Sequence, residues 1–243
     1  MSIPAYACAA AAILATTSAL ATPAIDPTTR QLVIEEYGDS TTVGYTATKN
    51  GTIIAAMNQP NTLQRLLREE FGESIVVRNE GVGGIQSSDA LHGTDGIHQD
   101  WESVMRTSHA QIVTLNFGLN DAFFFSQPSQ GKASVTPVQY QAVMRRLVNI
   151  ARQHGKTVVL YEPNPSCHPA REESLKYYVT HLEQLATEMS VPLVAQYWGV
   201  VAAPDWRTQL SDCTHPTPAL YATKGQNAYR VLRTVVAQMA TAP

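Results

Sequence analysis

Two short segments of the sequence carry side chains that together could perform nucleophilic catalysis. Segment 38–40 (Gly-Asp-Ser) presents a serine hydroxyl in a tight turn, and segment 212–215 (Asp-Cys-Thr-His) presents a carboxylate and an imidazole three residues apart. A histidine can accept the proton of a serine hydroxyl while an aspartate holds its ring in the required tautomer and orientation. Each segment alone has a simpler interpretation, because Asp39 or Ser40 could cap a following helix and Asp-x-x-His occurs in ordinary surface turns.

Two other segments carry groups that suit the stabilisation of a developing negative charge. Segment 118–121 (Gly-Leu-Asn-Asp) contains Asn120, whose side-chain amide could donate a hydrogen bond to an oxyanion. Segment 79–84 (Asn-Glu-Gly-Val-Gly-Gly) is rich in glycine, which lets the backbone approach a ligand closely. An Asx-turn is the simpler interpretation of the first. The second lacks the G-x-G-x-x-G spacing of a dinucleotide-binding loop.

Hydrophobic periodicity predicts the elements that must bring these segments together. Short apolar runs typical of buried strands occur at 31–37, 74–78, 111–116, 157–161 and 191–195. Helical spacing occurs at 61–71, 98–107, 136–155, 171–189 and from residue 225 onward. The alternation predicts a single α/β domain, a three-layer α/β/α sandwich with a five-stranded, mostly parallel sheet. Ligands of such sheets bind beyond the carboxyl ends of the strands, so we expect all four segments at that edge.

The four segments, in this order, resemble the sequence blocks of the SGNH (GDSL) hydrolase superfamily. Those blocks are Gly-Asp-Ser after the first strand, a glycine five residues after an Asn, Gly-x-Asn-Asp, and Asp-x-x-His. The matching positions are 38–40, Asn79 with Gly84, 118–121 and 212–215. The resemblance spans 31–240, with Thr41 in place of the Leu of GDSL, and implies the flavodoxin-like SGNH hydrolase fold. The G-x-S-x-G elbow of α/β-hydrolases is absent from the sequence.

The resemblance also implies a role for each matched residue. Ser40 would attack an ester carbonyl, His215 would transfer the proton, and Asp212 would orient the His215 ring. The groups implied to bind the oxyanion are the backbone N–H groups of Ser40 and Gly84 and the side-chain amide of Asn120. Asp39 and Asp121 would support the site through hydrogen bonds. The implied chemistry uses no metal and no cofactor.

The implied activity is that of a serine esterase acting on a small-molecule or polysaccharide ester. We expect short acyl groups, chiefly acetyl esters of carbohydrates, because no long apolar run suggests a lipid tunnel. An acyltransferase, a lysophospholipase and a thioesterase are alternatives on the same site. A non-catalytic carbohydrate-binding module is disfavoured by the complete set of Ser40, Asn120, Asp212 and His215. A flavodoxin-like FMN-binding or receiver domain would have no use for the Asp-x-x-His turn.

Charge and the N-terminal composition limit the partners and the compartment. The 243 residues carry 17 Lys and Arg against 20 Asp and Glu, a net charge of −3, so there is no electrostatic footprint for a nucleic acid.

The uncharged first 24 residues hold an apolar run at 7–15 and then Ala19-Leu20-Ala21. This pattern predicts a signal peptide at 1–21, leaving 22–243 as one domain of a secreted or periplasmic protein. A core helix or a disordered tail is the alternative, since no Lys or Arg precedes the run. The run is too short for stable membrane insertion, which takes about 20 apolar residues.

The cysteine count fits an exported protein. Cys8 would leave with the signal peptide, and Cys167 and Cys213 remain as an even pair in an oxidising compartment. We predict that they form a disulfide, with two buried thiols as the alternative. In the superfamily fold both loops would lie at one edge of the sheet, where the bridge would clamp the 212–215 turn. Cys213 as the nucleophile is a weaker alternative to Ser40.

Two further clusters have open interpretations. His92, Asp95 and His98 are spaced three residues apart in a glycine-containing segment and could bind a metal ion, although an exposed polar loop is the simpler interpretation. The three phenylalanines at 123–125 follow Asn120 closely. They could line an acyl or leaving-group pocket or only pack a lid.

Overall fold

The computed structural model describes residues 31–240. The strands in this part of the chain are β1 (Leu32–Gly38), β2 (Tyr45–Thr48), β3 (Gly51–Ile54), β4 (Ile75–Gly81), β5 (Ile112–Asn116), β6 (Thr157–Tyr161) and β7 (Leu193–Val194). The helices are α1 (Ser40–Val43), α2 (Gln59–Phe71), α3 (Ser87–His92), α4 (Trp101–Thr107), α5 (Leu119–Ser126), α6 (Pro137–Gln153), α7 (Pro169–Glu172), α8 (Leu175–Glu188), α9 (Trp198–Val201) and α10 (Pro218–Ala240), and a 3-10 turn spans Trp206–Gln209. The predicted signal peptide at 1–21 and Cys8 lie outside the described residues, so the domain boundary at residue 22 stays a prediction.

A five-stranded parallel sheet forms the centre of the domain, as the sequence predicts. Its strand order is β4-β1-β5-β6-β7, and every pairing within it is parallel. β1 lies between β4 and β5, so the loops that follow these three strands leave the sheet side by side. This topology brings three of the four candidate segments to one edge.

Helices cover both faces of the sheet. Alternation along β1 sends Val33 and Tyr37 to one apolar cluster and Leu32 and Ile34 to the other. The first cluster packs against α3, α4, α6 and α8, and the second against α2 and α10. All seven residues of β1 are buried in consequence. The predicted three-layer α/β/α architecture is therefore confirmed. No helix within residues 31–240 is both long enough and apolar enough to cross a bilayer.

Several predicted boundaries are wrong, and packing explains the largest error. The last helix begins at Pro218 rather than near Gly225, which lies inside it. A Cβ atom at position 225 would lie 2.5 Å from the Thr62 side chain, so this glycine permits the close approach of α10 to α2. The single helix predicted at 171–189 is divided into α7 and α8, and the strand predicted at 191–195 has only two residues.

The hairpin formed by β2 and β3 is an element that the sequence patterns did not indicate. It pairs only with itself and stands outside the main sheet. Every residue of β3 is exposed, so the strand lacks the apolar pattern that marks a buried strand. The hairpin matters because its first residue, Tyr45, reaches the candidate site.

Candidate active site

Ser40 stands on a tight turn at the carboxyl edge of the sheet. It is the first residue of α1, and Asp39 caps this helix by accepting hydrogen bonds from the Thr41 N–H at 2.8 Å and the Thr41 hydroxyl at 2.9 Å. A Cβ atom at position 38 would lie 2.6 Å from the main-chain oxygen of Asn116 on the neighbouring strand. Gly38 thus allows the chain to leave β1 directly against β5. Helix capping by Asp39 and exposure of Ser40 at the edge are therefore both parts of the same turn.

Asn79 attaches the helix that carries Ser40 to the end of β4. Its Nδ2 donates to the main-chain oxygens of Thr42 at 2.9 Å and Val43 at 3.2 Å, and its Oδ1 accepts from the Gly81 N–H at 3.1 Å. These carbonyls lie in the last turn of α1 and need partners outside the helix. Asn79 therefore fixes the end of β4 relative to Ser40.

A chain of hydrogen bonds joins Ser40, His215 and Asp212. The Nε2 atom of His215 lies 2.9 Å from Ser40 Oγ, and its Nδ1 atom lies 2.7 Å from Asp212 Oδ2. The other carboxylate oxygen, Oδ1, accepts the main-chain N–H of His215 at 2.7 Å and of Thr214 at 3.1 Å. Asp212 thus orients both the ring and the backbone of the 212–215 turn.

The surroundings of Asp212 keep it ionised. Partial burial alone would raise the pKa of Asp212, but hydrogen bonds from the His215 backbone and ring and from the Thr214 N–H outweigh it and lower the pKa. In a neutral His215 ring, donation from Nδ1–H to the Asp212 carboxylate makes Nε2 the acceptor that faces the Ser40 hydroxyl. The arrangement can accept a proton from Ser40.

The loop that follows β6 contacts the 212–215 turn and stabilises it. Cys167 and Cys213 form a disulfide, which confirms the predicted pairing. The Ser166 hydroxyl donates to the Cys213 main-chain oxygen at 2.7 Å. Cys213 has φ +64°, in the left-handed region that residues with a side chain seldom adopt. These bonds hold the turn in a conformation that its own backbone does not favour.

A buried lysine supports the same turn. Lys224 on α10 donates from Nζ to Asn164 Oδ1 at 2.8 Å, and Asn164 Nδ2 donates to the Thr214 main-chain oxygen at 3.0 Å. Burial lowers the pKa of Lys224 to about 8, although the charges of Asp39 and Glu36 oppose the shift. The lysine therefore acts on the turn through one intervening amide.

The groups predicted to bind an oxyanion line the same pocket as Ser40. Ser40 begins α1, so its N–H has no acceptor within the helix. Gly84 has φ +77°, and no hydrogen bond within residues 31–240 uses its N–H. The Nδ2 atom of Asn120 donates one hydrogen to the Ile85 main-chain oxygen at 2.9 Å. An amide nitrogen carries two hydrogens, so a second donor of Asn120 remains for a ligand.

Asp39 and Asp121 are buried behind the pocket rather than in its wall. Asp121 accepts the Ser87 hydroxyl at 2.6 Å and the Ser87 N–H at 3.2 Å, which ties α5 to the start of α3. Burial raises the pKa of Asp121 to about 6, against the hydrogen bonds from Ser87. Burial also raises the pKa of Asp39, against those from Thr41. The supporting roles of Asp39 and Asp121 stay predictions.

The pocket has a volume of about 480 Å³. It is lined by Ser40, Tyr45, Gly83, Gly84, Asn120, His168, Arg171, Asp212, Thr214 and His215. Sequence reasoning did not identify Tyr45, His168 or Arg171 as site residues. The Tyr45 ring meets the His215 ring edge-on, with centroids 6.1 Å apart. No local pattern marks these side chains, because their contacts come from segments distant in the chain.

The other two clusters lie outside this pocket. His98 Nδ1 lies 2.8 Å from Asp95 Oδ2, whereas His92 is exposed at the end of α3. Within residues 31–240 no three His, Cys, Asp or Glu side chains are grouped as ligands of one metal ion. Phe123 packs its ring against the Arg171 guanidinium at 4.4 Å, and none of the described residues lining the pocket is one of the three phenylalanines. The packing interpretation of Phe123 is the one that fits.

A hydrogen-bonded Ser–His–Asp set at the carboxyl edge of a parallel sheet is an arrangement found in serine hydrolases of several folds. The GDSL-like lipase/acylhydrolase family model matches residues 37–223. The chain belongs to this family and is an ester hydrolase.

Solved structures share the fold at low sequence identity. A lipase/acylhydrolase from Enterococcus faecalis has a TM-score of 0.65 and 18% identity, over 84% of this chain and 97% of that one. The aryl esterase of M. smegmatis has a TM-score of 0.65 and 21% identity, over 84% and 99%. An acetylxylan esterase from Geobacillus stearothermophilus has a TM-score of 0.65 and 19% identity, over 83% and 94%. No curated protein matches the chain.

Proposed function

We propose that the protein is a secreted or periplasmic serine esterase that hydrolyses short acyl esters, chiefly acetyl esters of carbohydrates. The observation that carries this proposal is the chain of hydrogen bonds from Ser40 Oγ through His215 to Asp212 at the wall of an open pocket. A serine hydroxyl is a weak nucleophile, and a hydrogen bond to a neutral imidazole activates it. The reaction would proceed through an acyl-enzyme on Ser40.

In the acylation step, Ser40 Oγ bonds to the ester carbonyl carbon while its proton moves to His215 Nε2. The tetrahedral intermediate then expels the alcohol oxygen, which takes the proton from His215 as the C–O bond breaks. In deacylation, His215 accepts a proton from water, and the water oxygen attacks the acyl carbonyl. The proton returns to Ser40 Oγ as the carboxylic acid leaves. Asp212 stays ionised throughout and stabilises the imidazolium.

Three donors would bind the oxyanion in both steps. They are the N–H groups of Ser40 and Gly84 and the second Nδ2 hydrogen of Asn120. Donors that are held in place before the reaction stabilise the developing charge without reorganisation, and each contributes about 100- to 1,000-fold in rate. Asn79, through its bonds to α1, sets the spacing between the first two.

The pocket lining supports a small acyl group and a polar alcohol. None of the described residues that line it is Leu, Ile, Val, Met or Phe, and Tyr45 is the one tyrosine ring among them. A long alkyl chain would need an apolar wall, whereas hydroxyl groups of a sugar can bond to Thr214 and His168. An acetylxylan esterase shares the fold, which is compatible with this substrate class.

Solvent access favours water over another alcohol as the acyl acceptor. The side chain of Asp212 is 35% exposed and that of His215 is 19% exposed. An acyltransferase must keep water from its acyl-enzyme, and a shallow site of this kind offers little exclusion.

Export is proposed on two observations of different kind. The uncharged, apolar N-terminus has the pattern of a signal peptide at 1–21. The Cys167–Cys213 disulfide is typical of an oxidising compartment. Expression of the full chain in an export-competent host should yield an extracellular or periplasmic product. The mass of this product should be that of a chain that begins at residue 22. A full-length product retained in the cytoplasm would contradict the proposal.

The activity is tested with p-nitrophenyl acetate, p-nitrophenyl octanoate and acetylated xylo-oligosaccharides. We expect the wild type to prefer acetate to octanoate and to release acetate from the oligosaccharides. Ser40→Ala should lose about 10⁴-fold or more in kcat. Ser129→Ala, in an exposed loop, is the matched control and should match the wild type. Activity that survives Ser40→Ala would overturn the assigned nucleophile, and a preference for octanoate would overturn the substrate class.

A further inference from the structure

Arg171 is a buried cation whose hydrogen-bond acceptors all belong to elements of the proposed active site. Its exposed fraction is 9%. Nε donates to the Leu119 main-chain oxygen at 2.9 Å, one terminal nitrogen to Thr214 Oγ1 at 3.3 Å and the other to Asn120 Oδ1 at 3.4 Å. The residue therefore links α5, which carries Asn120, to the 212–215 turn.

No carboxylate of the described residues forms an ion pair with the guanidinium. None of the ion pairs within residues 31–240 includes Arg171. Its flat face rests on the Phe123 ring at 4.4 Å, which leaves the edge with its N–H groups directed at the three acceptors. Burial lowers the pKa of the Arg171 guanidinium, and the charges of Asp39 and Asp212, which are not in ion-pair contact with it, oppose the shift.

The contacts of Asn120 show what the guanidinium does. Its Oδ1 receives the Arg171 N–H, and its Nδ2 donates to the Ile85 main-chain oxygen at 2.9 Å. A rotation of the amide by 180° would place an NH₂ group against the guanidinium and an oxygen against a carbonyl oxygen. Both contacts therefore select one orientation of the amide, and that orientation keeps a hydrogen rather than a lone pair for the oxyanion.

We propose, on the basis of the proposed function, that Arg171 is a positioning residue that holds the Asn120 amide in its oxyanion-binding orientation. A cation on the amide oxygen also polarises the amide, so that its N–H groups become stronger donors. The effect is greatest when the oxyanion forms, so it should appear in kcat more than in KM.

A double-mutant cycle with p-nitrophenyl acetate tests this. Asn120→Ala should lower kcat by about 100- to 1,000-fold. Arg171→Met, which keeps the length of the side chain but removes its donors, should lower kcat by about tenfold or more with KM changed less than about threefold. In the Asn120→Ala background, Arg171→Met should lower kcat by a further factor of less than about three, because the amide that Arg171 positions is absent. Equal losses in the two backgrounds would overturn the proposal.

Controls separate this proposal from folding and from the proposed function. Arg152→Met also removes an arginine that donates to main-chain oxygens, those of Met189 and Ser190, and should leave kcat unchanged. Arg171→Lys keeps the charge and should recover part of the loss. If Arg171→Met does not fold, the cycle is made with Arg171→Lys, whose loss should likewise vanish in the Asn120→Ala background. An active Ser40→Ala variant would refute the esterase mechanism itself, whereas an inactive one with an additive cycle refutes only the role of Arg171.

Discussion

Cys167 is joined to Cys213 twice, by the disulfide and by a hydrogen bond from the Cys167 N–H to the Cys213 main-chain oxygen at 2.9 Å. Cys213 has φ +64°, and the left-handed conformation costs a residue with a side chain about 1–2 kcal/mol. Cys213 lies between Asp212 and His215 in the chain. The two bonds thus stabilise the backbone conformation that lets these side chains face each other.

Removal of the disulfide should destabilise the protein in two separable ways. The cysteines are 46 residues apart, so Cys167→Ser with Cys213→Ala should lower the free energy of unfolding by about 4 kcal/mol. Cys167→Ser with Cys213→Gly should be about 1 kcal/mol more stable than that variant, because glycine adopts a positive φ freely. Urea denaturation followed by fluorescence measures both. Equal stability of the two variants would show that Cys213 holds no backbone strain.

The charge of Asp212 should be essential for turnover. Asp212→Asn keeps the shape of the side chain but removes the carboxylate that selects the His215 tautomer, so kcat should fall by about 10⁴-fold. Asp205→Asn is the matched control, because Asp205 is exposed and its side chain makes no capping hydrogen bond. Steady-state kinetics at neutral pH are sufficient, since the pKa of Asp212 is lowered and the carboxylate is ionised there. A loss in kcat of less than about tenfold would mean that Asp212 does not assist the proton transfer.

Gly84 and Gly96 form a pair that separates backbone strain from a role in catalysis. Their φ values are +77° and +80°, and an added Cβ would meet no atom within 4 Å at either position. Alanine should therefore destabilise the fold by about 1 kcal/mol at both. Gly84→Ala alone should lower kcat, by about tenfold or more, because a shifted N–H no longer meets the oxyanion. Thermal melts and kinetics on both variants test this. Equal kcat values would remove Gly84 from the oxyanion site.

Glu36 should make stability depend on pH. It is fully buried, accepts the Tyr161 hydroxyl at 2.6 Å, and has its other carboxylate oxygen unpaired within the described residues. Burial raises the pKa of Glu36 from 4.5 to about 7. The folded state therefore binds a proton more tightly than the unfolded chain, so this contribution to stability is present below pH 4.5 and is lost as the pH rises through about 7.

The variant Glu36→Gln tests whether stability falls as the pH rises. Relative to Glu36→Gln, the wild type should lose up to about 3 kcal/mol of stability between pH 4.5 and pH 8, from 1.36 kcal/mol per pKa unit. Urea denaturation at intervals across that range measures the difference. Parallel pH profiles of the two proteins would mean that Glu36 titrates with an ordinary pKa.

Local patterns were sufficient for much of the fold and for the candidate site. The short apolar runs and the helical spacings depend only on neighbouring residues, and the order of strands and helices follows from them. The Asp212–His215 pair also depends on a short span, because residues three apart in a turn can face each other. The predicted sheet, its three layers and the Cys167–Cys213 pairing are confirmed. The proposed roles of Ser40, His215 and the oxyanion donors stay predictions that the geometry supports.

Tertiary structure alone decided which other side chains complete the pocket. Arg171 bonds to Leu119 across 52 residues of chain and to Thr214 across 43. Tyr45 reaches His215 from a hairpin that no apolar pattern marks, and Gly225 lies inside a helix at the point where α2 packs closely against it. Periodicity and capping express forces between residues near each other in the chain. Contacts of this kind arise only when the sheet order has brought distant segments together, so the packing of the whole domain determines them.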